Sequence, residues 1–320
     1  MKRTFATLFF GISLIILSGC CSINKQAAQK LAEQGAATST EIANSYGAAK
    51  QQLVTYVEGE YLLSGLKDGY SKPGTNMLDS IKRVQTELTL RKQMLEDLGT
   101  LYSAFAALCA YDAATETEKA AGELAAAGKS YADTVFPGTS IPDAAGQMFA
   151  KGTGQLAGQA QNRRIRNASR QICSNLEGIV FLLQQQKEQE ALTSIREEIS
   201  RNRLKVAKAL WNENLGLADN ILDGQVSSYG LTLNRDAAKA APANPKLKHA
   251  IEQVLESRHN SEMEASGEAY AAAIAALKKL KEEHKKLEKG EPVSLTSLKT
   301  DLTVIQEYVD LVTALRKEHK

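Results

Sequence analysis

Apolar residues recur at alternating intervals of three and four over long stretches of this chain. The clearest series lies between Gly74 and Asp112, and only Arg91 interrupts it. Its positions are Ile81, Val84, Leu88, Arg91, Leu95, Leu98, Tyr102, Phe105 and Cys109. Because this spacing places side chains on one face of an α-helix, it predicts a long helix that is packed along its length, as in coiled coils.

A second series near the C-terminus predicts another long helix. Its apolar positions are Leu295, Leu298, Leu302, Ile305, Val309 and Val312. Ser294, which follows Pro292 closely, is a suitable N-cap, because a serine side chain can accept hydrogen bonds from the first backbone amides of a helix.

Three further segments have helical composition. Residues 24–66 are rich in alanine, and residues 245–289 begin at a proline and carry many charges. Residues 165–221 contain no proline, which predicts one uninterrupted helix over that range. No stretch alternates polar and apolar residues as a strand does. The pattern predicts an all-α fold, an elongated bundle of long, coiled-coil-like helices, in a single domain over residues 20–320.

Residues 120–160 differ from the rest in composition. They hold seven of the 22 glycines but only five charged residues. Pro137, Gly138 and Pro142 favour a turn in the middle. The sequence therefore predicts an Ala/Gly-rich helical hairpin over about residues 116–160.

Large apolar residues cluster beside the predicted turn. They are Phe136, Ile141, Met148 and Phe149. The cluster either packs against the bundle or forms a tip that contacts a partner or lipid. The charged residues of the hairpin argue against full insertion, because charges in a membrane span are costly.

The first 19 residues follow a different pattern. Lys2 and Arg3 are followed by the mostly apolar run 5–17, and no acidic residue is present. The run is shorter than the about 20 residues that a membrane-spanning helix needs. This order of features is typical of a secretory signal peptide.

The signal-like segment ends in Leu17-Ser18-Gly19-Cys20, which resembles the lipobox of bacterial lipoproteins. The resemblance implies cleavage before Cys20, diacylation of its thiol and usually acylation of the new amino terminus. A plain signal peptide or an uncleaved anchor is the alternative. Cys21 is not the aspartate that tends to keep lipoproteins in the inner membrane, so the resemblance implies anchoring in the outer membrane, facing the periplasm.

Charge and cysteine content add two expectations. Without Lys2 and Arg3, the chain has equal numbers of basic and acidic residues. A neutral balance gives no electrostatic basis for binding nucleic acid. Cys109 and Cys173 would meet an oxidising compartment, and they form either a disulfide or two buried free thiols.

Motifs for metal, cofactor or catalysis are absent. The four histidines form no HxxxH or HExxH motif, and no CxxC pair occurs. His284 falls on an apolar helical stripe and is expected to be packed, and Trp211 is expected in the core. Arg163, Arg164 and their neighbours Arg166 and Arg170 favour a solvated helix face over a site for phosphate headgroups. No cofactor, metal or enzymatic activity is expected.

The sequence thus favours a lipid-anchored cell-envelope protein that acts as a scaffold or interaction module. Its membrane partner would be reached through acyl chains on Cys20, and its other partner would be an envelope protein. Oligomerisation stays open, because a heptad seam can be covered within one chain or between chains. A membrane-active or pore-forming protein that inserts residues 136–158 is one alternative, and a small-ligand binder or enzyme is another.

Overall fold

The computed structural model describes residues 24–66, 75–213, 226–227, 229–232, 234, 236 and 244–317. Eight helices account for most of these residues, and no strand occurs among them. The helices are α1 Lys25–Leu66, α2 Thr75–Ala110, α3 Ala114–Val135, α4 Ile141–Lys151, α5 Gln161–Leu183, α6 Gln186–Asn212, α7 Pro245–Lys289 and α8 Thr296–Lys317. The prediction of an all-α fold is confirmed.

The chain divides into two compact units. Unit 1 lies within Met1–Asn44, Leu90–Gln184 and Ala272–Thr303, and unit 2 lies within Ser45–Thr89, Gln185–Ala271 and Val304–Lys320.

Helix α2 confirms the strongest sequence prediction. All nine positions of its seam are buried, including Arg91 at 1% exposure. The Nε of Arg91 donates to the hydroxyl of Tyr131 at 3.0 Å, and its guanidinium lies 5.7 Å from the centre of that ring. A hydrogen bond and a cation–π contact thus accommodate the one polar position of the seam.

Helix α7 starts at Pro245, where the sequence placed a helix start. Asn244 caps it, because its Oδ1 accepts from the amides of Lys246 at 3.1 Å and Leu247 at 3.4 Å. Helix α8 begins two residues after Ser294, whose amide donates to the Oε2 of Glu283 at 2.8 Å.

The prediction of one helix over residues 165–221 is wrong. Helix α5 ends at Leu183 and α6 begins at Gln186, and Gln185 has extended backbone angles. Neither proline nor glycine stands at this break. The boundary between the two units falls at the same place, so the apolar residues on its two sides are buried in different units. Tertiary packing interrupts a segment that local propensity would continue.

In unit 1, helices α1 and α2 run antiparallel and in close contact. A Cβ atom added to Gly35 would come within 3.0 Å of the Tyr102 ring, and one added to Gly99 would lie 3.7 Å from the Cβ of Ser39. The partner of a later α1 residue is therefore an earlier α2 residue. Glycine at position 35 is required because the aromatic ring occupies the space of a side chain.

Candidate functional site

A helical hairpin is present as α3 and α4, which are joined by residues 136–140, but α4 ends at Lys151, short of the predicted end near residue 160. Pro142 lies in the first turn of α4, where its missing amide is tolerated, and Gly138 has a φ of +73°. Helices α3, α4 and α5 pack on one another within unit 1. Both helices of the hairpin therefore contribute buried residues to the unit 1 core.

Phe149 is the main anchor of this packing. It is 1% exposed, and its ring fills the space next to Gly128 on α3 and Gly178 on α5. A Cβ added to Gly128 would come within 3.0 Å of the ring, and one added to Gly178 would lie 3.0 Å from it. Phe136 is fully buried, with its ring edge-on to that of Tyr131 at 6.3 Å. The prediction that Phe136 and Phe149 are contact residues is therefore corrected, because neither side chain reaches the surface.

The other two candidate contact residues have surface. Ile141 and Met148 are half-buried, and residues 137–140 of the turn are exposed. The hydroxyl of Thr139 donates to the carbonyl of Phe136 at 2.8 Å and accepts from the amide of Ile141 at 3.3 Å. The turn is therefore exposed, whereas the aromatic rings of Phe136 and Phe149 next to it are buried.

A buried polar cluster in unit 1 centres on His284 of α7. Its Nδ1 is 2.7 Å from the Oγ of Ser169, and its Nε2 is 3.1 Å from the hydroxyl of Tyr102. Ser169 also donates to the backbone carbonyl of His284 at 3.1 Å. Both ring nitrogens of His284 therefore have a hydrogen-bond partner. The imidazole is neutral and fully bonded.

This cluster explains the expected packing of His284. Ser169, His284 and Tyr102 have no exposed surface, and the rings of Tyr102 and Phe105 lie 5.5 Å from the imidazole. Burial lowers the pKa of His284 to about 3. In the described part of the chain, no carboxylate is hydrogen-bonded to the imidazole. The cluster is thus a fully buried part of the unit 1 core.

Unit 2 contains a second polar cluster, between α6 and α7. Glu262 pairs with Arg203 and accepts from the Nε2 of Gln52 at 3.0 Å, while Ser200 is hydrogen-bonded to the Nδ1 of His259. Burial raises the pKa of Glu262 although Arg203 opposes the shift. The carboxylate is thus engaged by the arginine and the glutamine, and the cluster ties helices together.

The core position expected for Trp211 is confirmed. Trp211 is 4% exposed and packs in unit 2 against Ile251, Leu247 and Leu255.

Cys109 and Cys173 are free thiols, and both are buried. The sequence left open a disulfide or two buried free thiols, and the structure has the two free thiols. Burial raises the pKa of Cys109 to about 12, although the ammonium of Lys25 lowers it, and burial also raises the pKa of Cys173. Both thiols are therefore protonated at neutral pH and poorly nucleophilic.

The arginine cluster at the start of α5 is largely engaged by protein groups. Arg164 pairs with Asp112, and Arg170 pairs with Glu288 at 2.8 Å. The hydrogen bond from Arg164 lowers the pKa of Asp112. These pairs fasten α5 to the turn between α2 and α3 and to the end of α7.

Metal ligands and membrane spans were sought over the described residues. Nowhere in them do three or more histidine, cysteine, aspartate or glutamate side chains gather as ligands for a metal ion. None of the described helices combines the length and the apolar character needed to cross a membrane. Cys20, the candidate lipid-attachment residue, lies outside the described residues.

Comparison with protein-family models, with curated proteins and with solved structures finds no match.

Proposed function

We propose that this protein is a lipid-anchored component of a bacterial cell envelope, and that it acts as a non-enzymatic interaction module. Acyl chains on Cys20 hold one end at the membrane. Unit 1 then presents the turn between α3 and α4 to a protein partner at the other end. The lipobox resemblance supports the anchor, and the geometry of unit 1 supports a separation between the anchored end and the α3–α4 turn.

The observation that carries this proposal is the direction of three helices in unit 1. Helix α1 begins at Lys25, only five residues after Cys20, and Asn24 caps it by accepting from the amide of Ala27 at 3.1 Å. Because α1 and α2 are antiparallel, with Gly35 against Tyr102, the start of α1 lies beside the end of α2. The anchored end of unit 1 is therefore the end where α2 passes into α3.

Helix α3 returns alongside α2 from that end. Thr117 near its start donates to the carbonyl of Ala104 at 3.3 Å, and Tyr131 near its end bonds to Arg91 at 3.0 Å. Its 22 residues span about 33 Å at 1.5 Å per residue. The turn at residues 136–140 is thus about one helix length from the anchored end, a suitable place for contact with a partner away from the lipid.

We infer the compartment from the same residues. The lipobox, with Cys21 in place of an aspartate, favours the outer membrane and a position facing the periplasm. In that compartment the turn would meet other envelope proteins, and two or three acyl chains would hold the protein far more firmly than one.

In-cell crosslinking tests the contact surface. A benzophenone amino acid in place of the half-buried Ile141 is expected to give a discrete protein adduct on irradiation. The same amino acid in place of Ala126, an exposed residue in the middle of α3, is the matched control and is expected to give none. Immunoblotting and mass spectrometry would identify the adduct.

Two outcomes would contradict this contact surface. Adducts to lipid alone at position 141 would favour the alternative in which residues 136–158 enter the membrane. Equal protein adducts at positions 141 and 126 would show that the turn has no special role.

A further inference from the structure

One aromatic side chain of unit 1, that of Tyr111, is prominently exposed among the described residues. Tyr111, in the turn between α2 and α3, is 66% exposed, and it is the one exposed large apolar residue of unit 1 within the described part of the chain. Asp112 of the same turn is also exposed, whereas Ala113 is 1% exposed and Leu108, near the end of α2, is fully buried. A single exposed tyrosine is common on protein surfaces and does not by itself indicate a function. A role for Tyr111 therefore depends on where it lies in unit 1.

The position of Tyr111 follows from the register of α1 and α2. Gly35 faces Tyr102 and Ser39 faces Gly99, so the first turn of α1 lies beside the last residues of α2. Packed helices lie about 8–10 Å apart. Tyr111 is therefore close to Lys25, where α1 begins.

The length of the chain before α1 limits the distance to the membrane. Lys25 is five positions after Cys20, and an extended chain spans at most about 18 Å over five residues. If Cys20 carries acyl chains, as proposed above, the turn that contains Tyr111 is held near the headgroups. Tyrosine is enriched at that depth, because its ring prefers the interface and its hydroxyl stays hydrated.

The turn is also firmly held in its orientation. Gln161 of α5 donates to the carbonyls of Leu108 and Tyr111, and Arg164 pairs with Asp112. These bonds use backbone atoms of Tyr111 and leave its ring exposed. The exposed cations Lys25 and Arg163 belong to the same end of the unit, and Glu116 in the first turn of α3 partly offsets them.

We propose that Tyr111 enters the interfacial layer of the bilayer and forms a second contact beside the acylated Cys20, so that α3 stands away from the membrane. This inference rests on the proposed anchor. The partner of the Tyr111 side chain is a phospholipid bilayer, since acyl chains on Cys20 would hold the turn that contains Tyr111 at the membrane surface. The contact would limit rotation of unit 1 about its point of attachment and would keep the α3–α4 turn directed away from the lipid.

Fluorescence quenching by brominated lipids tests the contact. The full-length protein with Tyr111→Trp would be purified from bacterial membranes and reconstituted into vesicles of phosphatidylethanolamine and phosphatidylglycerol. Brominated chains are expected to remove most of the fluorescence that this tryptophan adds to that of the buried Trp211. Ser140→Trp is the matched control, because Ser140 is equally a turn residue of unit 1 but lies at the far end of α3. Its added fluorescence is expected to be unchanged.

Flotation of the same vesicles separates the two hypotheses. If the protein floats only when Cys20 is present but Tyr111→Trp is not quenched, the anchor stands and the second contact is overturned. Equal quenching at positions 111 and 140 would overturn it as well, because α3 would then lie along the membrane. If Cys20→Ala floats as the natural protein does, or neither floats, the anchor itself fails and the inference fails with it.

Discussion

Gly128→Ala is expected to destabilise unit 1 by about 1–3 kcal/mol, because the new methyl group would overlap the ring of Phe149. The ring cannot move aside easily, since Gly178 contacts it from α5. Chemical denaturation followed by helical circular dichroism would show the change as a lower midpoint. Phe149 is fixed by both glycines, so Gly178→Ala is expected to act in the same direction with a smaller effect.

The same helix offers a control of opposite sign. Gly122 is exposed on α3, and a Cβ there would have no atom within 4 Å. Gly122→Ala is expected to stabilise the protein by up to about 1 kcal/mol, because alanine is the better helix former. If Gly128→Ala proved neutral or stabilising like Gly122→Ala, the packing of Phe149 against α3 would be wrong.

Acidification is expected to destabilise unit 1 through His284. The folded protein holds this side chain neutral with a pKa of about 3, whereas its ordinary pKa is 6.5. Between those values the unfolded chain binds the proton and the folded chain does not, so stability is full above pH 6.5 and falls as the pH is lowered. This linkage amounts to about 2 kcal/mol between pH 7 and pH 5.

Variants isolate the contribution of His284. Its partners Ser169, Tyr102 and Phe105 carry no charge at these pH values, and Glu283 on its own helix is bonded to Ser294 and Lys286. Glu262 acts with the opposite sign, because burial raises its pKa. We therefore expect His284→Gln to lose about 2 kcal/mol of pH dependence relative to the natural protein. His249→Gln, at an exposed position, is expected to keep it. Equal pH dependence in His284→Gln and the natural protein would exclude the proposed burial of a neutral imidazole.

Regular spacing made much of the fold predictable. The seam of α2 was legible because nine positions follow one helical face, and the burial of all nine confirms it. Pro245 alone marked the start of α7, and the structure adds the cap from Asn244. The break at Gln184 and Gln185 could not be predicted, because it depends on which unit buries each apolar stretch and not on the two glutamines.

The candidate site was predictable only in part. Composition and the two prolines predicted the α3–α4 turn. The sequence could not show, however, that Phe136 and Phe149 point into the core. That outcome depends on Gly128 and Gly178, which come from two different helices and meet only in the fold. Likewise Ser169 and Tyr102 meet His284 across 115 and 182 residues of sequence. No sequence motif marked Tyr111. Its proposed role depends on the register of α1 and α2, which places it beside the start of α1.

The mass of the mature N-terminal peptide would show whether Cys20 is acylated. The protein would be expressed at full length in a Gram-negative host, extracted from its membranes and digested. We expect a peptide that begins at Cys20 and carries two or three acyl chains. Cys20→Ala is expected to abolish this peptide, and Cys21→Ala is expected to keep it. A mature chain that begins elsewhere, or an unmodified Cys20 thiol, would show that the protein is not anchored through Cys20.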